Sequence, residues 1–199
     1  MTIRPLQIAL LLGFAARSAA GQDTLPGSRI TNAGVVRATR ATAAVFISRT
    51  RLSDTIDIGD FASLMLARIG APPFSDSLAF KVTADTQRVR VSGRLMDFPP
   101  DSRAELGPIF SFLDSTSVFV AEISMPQAED GIMVFRLERL TVRGFPIPDL
   151  LVLAALERYR REYPRMLSAG GKEFHVEIPR EAHAALTTNG VVLVMPPKP

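Results

Sequence analysis

No cysteine and no tryptophan occur among the 199 residues, and histidine and tyrosine appear only twice each. The lack of cysteine excludes a disulfide staple, a thiolate nucleophile and a lipid-modified cysteine anchor. Two histidines leave acid–base and metal chemistry thinly supplied. No apolar run reaches the ~20 residues that a membrane helix needs. The longest, Leu6 to Ala16, is closed by Arg17. Also missing are a G-x-S-x-G elbow, an S-x-x-K pair and a phosphate-binding loop, so no catalytic constellation is legible and a non-enzymatic protein is expected. Cationic patches are missing too. The 20 Arg and 3 Lys are interleaved with acids along the chain, without the basic stripe and stacking aromatics that nucleic-acid binding requires.

What is present begins with a compartment signal. Arg4, the apolar run and Ser18-Ala19-Ala20 make a charged, apolar and small-residue series typical of a secretory signal peptide, with cleavage expected near Ala20. Export to the periplasm or the medium is the expectation. Removing residues 1–20 takes away Arg4 and Arg17 and no acid, lowering the net charge from its full-chain +3 to near neutrality. With 47% hydrophobic and 22% charged residues, the remainder suits one globular domain rather than a disordered chain.

Residues 21–39 are small and polar with Pro26, Gly27 and Gly34, and read as a flexible lead. Residues 40–195 read as a single α+β domain, and residues 196–199 as a frayed tail. Ala43 to Leu52 is β-rich. Asp57 stands at a helix N-cap, followed by the stripe Ile58, Phe61, Leu64, Met65 and Ile69, and Gly70 with Pro72-Pro73 ends that helix. Leu78, Phe80 and Val82, then Val89 and Val91, alternate with polar residues and make a hairpin wet on one side. A short helical stretch opens at Pro99-Pro100-Asp101 and breaks at Gly107-Pro108.

Phe119, Ala121, Ile123 and Met125 pair as a second hairpin with Met133, Phe135 and Leu137. There the apolar phase moves to Leu140 and Val142, which places a bulge near Glu138-Arg139. Pro148 opens a further helix reaching about Tyr163. Phe174, Val176 and Ile178 form a strand after a loop at Ser168 to Gly171. A last hairpin turns at Asn189-Gly190, with Gly190 expected at positive φ. The expected architecture is a mostly antiparallel, strongly bent sheet with two longer helices packed on one face.

Titratable clusters are ordinary. Glu173, His175 and Glu177 share one strand phase, a row that could hold a proton or a weak metal site but is also what a solvated strand face looks like. Asp54, Asp57 and Asp60 lack the Gly and terminal Glu of a calcium loop, and helix capping accounts for them. No metal or cofactor is expected. The segment Leu150 to Leu156 is more informative, because it is apolar on every side for two turns and must be covered by core, ligand or partner.

An acidic-capped helix over Asp57 to Ile69, strands ending in Arg88-Val89-Arg90-Val91-Ser92-Gly93, the Gly144-Phe145-Pro146-Ile147-Pro148 turn before an apolar helix, Phe174 to Pro179, and a closing strand after Gly190 together resemble small secreted bacterial proteins related to the tubular lipid-binding (TULIP-like) superfamily. The resemblance spans about residues 42–195. It implies an antiparallel sheet curled about a helix, with acyl chains held in the groove. The candidate groove residues are Phe61, Leu64, Met65, Phe119, Phe135, Phe145, Leu151, Ala155 and Leu156. The expected partner is a lipid or other apolar molecule. The alternative is an envelope structural or protein-interaction module with a filled core.

Overall fold

The structure, a computed structural model, describes residues 29–68, 77–98, 114–125, 131–162 and 171–197. The signal segment, the helix stop at Gly70 to Pro73, the Pro99 to Leu113 stretch and residues 168–170 of the expected loop lie outside the described residues. Among the described residues the architecture is α+β, and every strand pairing is antiparallel.

The expected lead is corrected from Arg29 onward. Strand β1 (Arg29–Thr31) pairs with β3 (Ser77–Ala84), and helix α1 (Asn32–Thr42) follows directly. Thr31 is extended and its side chain accepts a hydrogen bond from Gly34 N–H at 2.8 Å, which caps the helix. The buried face of α1 is built from small residues, Gly34 and Ala38, so it carries almost no hydrophobic signal in sequence. Ala43 to Leu52 is also corrected. Ala43–Ile47 prolongs α1 as a wide π-type turn, with Val45 fully buried and Phe46 packed against the core, so tertiary packing overrides the strand preference of Val45, Phe46 and Ile47.

Strand β2 (Ser53–Asp57) leads into helix α2 (Ile58–Arg68), where Asp57 Oδ1 accepts from Gly59 N–H at 2.8 Å. The hairpin of β3 with β4 (Arg88–Arg94) is as expected, and β4 pairs in turn with β5 (Val118–Ser124). Strand β6 (Ile132–Val142) pairs with β5 through a register shift: Glu122 faces Arg139 and Ile123 faces Leu137, so Glu138 is the extra residue of a bulge.

Two short strands share the outer edge of β6. Strand β7 (Phe145–Pro146) pairs with Thr141 and Val142, and β8 (Glu173–Glu177) pairs with Ile132 to Arg136. They run in the same direction and lie in line, like one edge strand with a gap. Ile147 N–H donates to Leu140 O before the gap and Leu137 N–H donates to Lys172 O after it, on either side of the bulged Glu138-Arg139. In chain order helix α3 (Asp149–Glu162) comes between these two edge strands. It is not a core helix: among its described side chains Val152 is the one buried apolar residue and stands outside the main core cluster, while Leu150 is 77% exposed.

Strands β9 (His183–Thr187) and β10 (Gly190–Val194) form a separate three-stranded sheet with β2. The single bent sheet is thus two sheets, of seven and three strands, and α2 packs against both. The second helix in contact with α2 is α1, not α3. Gly190 pairs with Thr187 and Asp57 inside the strands, so the tight turn is Thr188-Asn189, with Asn189 and not Gly190 at positive φ (58°). No helix among the described residues is long and apolar enough to cross a membrane.

Candidate functional site

Asp57 sets the phase of α2, and the phase aims Ile58, Phe61, Ala62, Met65 and Leu66 at the seven-stranded sheet. Their spacing of three and four makes one continuous apolar stripe. The opposite side of α2 is polar and is fastened to α1 and β1. Buried Asp60 accepts from Arg37 Nε at 2.7 Å and Nη2 at 2.6 Å. Fully buried Ser63 donates its hydroxyl to Gly59 O at 2.6 Å and accepts from Thr31 N–H at 2.9 Å. Hydrogen bonds from Arg37 thus fix how α2 lies on the sheet, and Asp60 in turn holds the Arg37 guanidinium protonated beyond its ordinary range. Burial pushes the Asp57 carboxyl up, against the lowering effect of its hydrogen bond from Gly59.

Period-two alternation supplies the facing wall. Val89 and Val91 of β4 and Phe119, Ala121 and Ile123 of β5 lie on the inner face, with Val91 opposite Ala121 and Val89 opposite Ile123. Phe80 of β3, Phe135 of β6, Phe174 and Val176 of β8, and Ile30 of β1 extend that wall. Phe98 joins it from just beyond a 3-10 turn (Leu95–Asp97). Asp97 closes this turn by accepting from Arg94 N–H at 2.9 Å and Arg94 Nη2 at 3.0 Å; those bonds hold its carboxyl below the usual range.

Between stripe and wall lies a cavity of about 390 Å³ whose lining, among the described residues, is all apolar. Buried and half-buried residues alternate around it. Ala62, Met65 and Leu66 on α2, and Val91, Ala121 and Ile123 on the sheet, retain partial exposure. The space is therefore a groove roofed by α2 rather than a sealed void. Aromatic rings furnish two parts of it. Phe80, Phe98 and Phe119 pack mutually with centroids 4.7 to 5.2 Å apart, Phe80 and Phe119 edge to face at 90°. Phe61 and Phe135 stand 5.8 Å apart.

Of the residues expected to form a groove, Phe61, Met65, Phe119 and Phe135 line this cavity. Leu64 turns to the other flank of α2, toward Met133 and Leu193 beside a hollow of about 20 Å³. Phe145 is 75% exposed on β7, and Leu151, Ala155 and Leu156 are half-buried on α3; none of these four lines the cavity. The residues that sequence reasoning left out are mainly the inner positions of β4 and β5, with Ile30, Phe80, Phe98 and Phe174. For Phe80, Phe174 and the β4 and β5 positions the signal was the shared alternation phase on paired strands; Ile30 and Phe98 carried none.

The acidic row on β8 lies on the outer face. Arg136 donates to Glu173 and holds that carboxyl down, while His175 Nε2 stands 3.7 Å from Glu173 Oε2. No cluster of three or more His, Asp or Glu side chains suited to a metal ion occurs among the described residues. Asp54 pairs with Arg51 at 2.6 Å, leaving each of the three spaced acids of this segment with its own local partner. No protein-family model, curated protein or solved structure matches this chain.

Proposed function

We propose that this chain is an exported, non-enzymatic protein that binds a lipid or other apolar small molecule between α2 and the inner face of the seven-stranded sheet. The observation that carries the reading is the 390 Å³ groove, whose lining among the described residues is wholly apolar. Small-molecule sites fall in the range of ~300–1,000 Å³, and an apolar cavity of only ~150 Å³ already takes benzene. Half-buried apolar side chains line this groove, and covering apolar surface is worth ~25 cal/mol per Å² removed from water, so an apolar guest gains by lying there. The secretory series in residues 1–20 and the likeness of the sequence pattern to TULIP-like proteins favour the same reading.

Native mass spectrometry of protein purified from the compartment to which it is exported tests this. A co-purifying apolar adduct, and a thermal midpoint that rises with added apolar probe, are expected. A clean apoprotein mass together with no uptake of any apolar probe overturns the reading. A second reading, an envelope protein-interaction module, is favoured by Phe145 and Leu150, which stand 75% and 77% exposed on either side of the turn into α3.

A further inference from the structure

Six of the chain's twelve phenylalanines face the groove, and each comes from a different segment: Phe61, Phe80, Phe98, Phe119, Phe135 and Phe174. Resting on the apolar-ligand reading above, we infer that the ligand is an uncharged molecule carrying fused or linked aromatic rings, in preference to a saturated fatty acid. Three features of the lining carry this.

The first is charge. Among the described residues, none that lines the groove bears a hydrogen-bonding or ionised side chain. A carboxylate drawn in beside them would lose its hydration without a polar side chain among them to replace it. The second is ring geometry. Aromatic rings attract one another edge to face or offset, beyond what area alone supplies. Phe80 and Phe119 already stand edge to face at one part of the groove, with Phe98 tilted against both, and Phe61 and Phe135 form a tilted pair at another. A flat guest can continue either set, whereas a methylene chain gains contact area only. The third is shape. Ala121, opposite Val91 on the central pair of strands, is the smallest side chain that the sheet contributes. The floor is therefore recessed at the middle of the central strand pair. At about 390 Å³ the groove has room for two or three rings, judged by the ~150 Å³ that accommodates benzene.

The test uses N-phenyl-1-naphthylamine, a neutral aromatic fluorophore, on the mature full chain, with phenanthrene, dodecane and dodecanoate as competitors. Phenanthrene is expected to displace the fluorophore at concentrations about tenfold or more below those of either saturated competitor, the discrimination that a shaped apolar pocket attains. Phe98→Leu and Phe174→Leu, both at half-buried positions, are expected to weaken phenanthrene about 2- to 10-fold, as loss of one ring contact does, and to leave dodecane unchanged. Equal or better displacement by dodecane or dodecanoate overturns the ring preference while the apolar-ligand reading stands. An unchanged phenanthrene-to-dodecane ratio in both folded variants also overturns it. If the fluorophore is not taken up and no competitor raises the thermal midpoint, the ring preference and the apolar-ligand reading fall together.

Discussion

Gly93 leaves the space that the Phe80 ring occupies: a Cβ on residue 93 would come within 2.4 Å of Phe80 Cδ1 and 3.2 Å of Phe119 Cε1. Gly93 continues the inward phase of Val89 and Val91, so a side chain there would enter the aromatic cluster. Gly93→Ala is expected to cost ~1–3 kcal/mol through overpacking. Chemical denaturation measures it, and the same variant should weaken probe uptake because a displaced Phe80 ring moves into the groove.

Ala121→Phe separates a ligand groove from a filled core. In a filled core the added ring would cost ~1–3 kcal/mol or more. In the groove it is expected to cost less than ~1 kcal/mol, because the ring occupies existing space, while probe binding is abolished. Paired denaturation and fluorescence titrations give both numbers.

Residues 29–42 belong to the fold, so a shortened chain beginning at Arg40 is expected to melt several degrees below one beginning at Gly21, a ~1 kcal/mol loss being worth ~2–8 °C in a domain of this size. Ile30 and Ala38, at 2% and 0% exposure, and the Arg37–Asp60 pair are lost together. Equal melting would show that β1 and α1 contribute nothing.

Arg37→Met removes the guanidinium from buried Asp60. Because Arg37 is half-exposed, water can partly replace it, and a loss of ~1–3 kcal/mol is expected for the acceptor left behind. Asp60→Asn in the Arg37→Met background should recover part of that loss, measurable in a double-mutant cycle.

Asp57 has its pKa raised by burial, so its ionised form is disfavoured in the folded chain. Its contribution is fully present below the ordinary carboxylate value and is lost as pH rises through the raised one. Asparagine caps helices as well as aspartate does. Asp57→Asn is therefore expected to equal or exceed the parent protein in stability at pH 7, the advantage closing as pH falls toward ~4. Asp97 behaves oppositely: its lowered pKa means that the Arg94 contact stabilises above the ordinary carboxylate value and fades on acidification.

Where the chain declared itself, the signal was periodic. Alternation in Phe80 to Val91 and in Phe119 to Val142 gave both central hairpins, and the change of apolar phase gave the bulge at Glu138. Asp57 gave the start of α2. Small residues hid the rest: α1 packs through Gly34 and Ala38, which have little hydrophobicity to register. The apolar stretch of α3 misled for the reverse reason, since edge pairing of β7 and β8 on β6 decides its place and no local pattern encodes that pairing. The last turn was misplaced by one residue because β10 pairs with β2 as well as β9, which draws Gly190 into the strands. Four groove residues were foreseen from aromatic and helical spacing. Val89, Val91, Ala121 and Ile123 of the central wall were not, because that required knowing that β4 and β5 present the same face to α2.

The in-line placement of β7 and β8 makes the span from Ile147 to Lys172 a natural graft point. Both flanks are registered independently on β6, so the connection can lengthen at an entropic cost of only ~0.6 kcal/mol per doubling. No described side chain of α3 lines the groove. Length variation among descendants of this chain should therefore collect at this span, and a reporter domain spliced into it would ride on the protein without touching the ligand space.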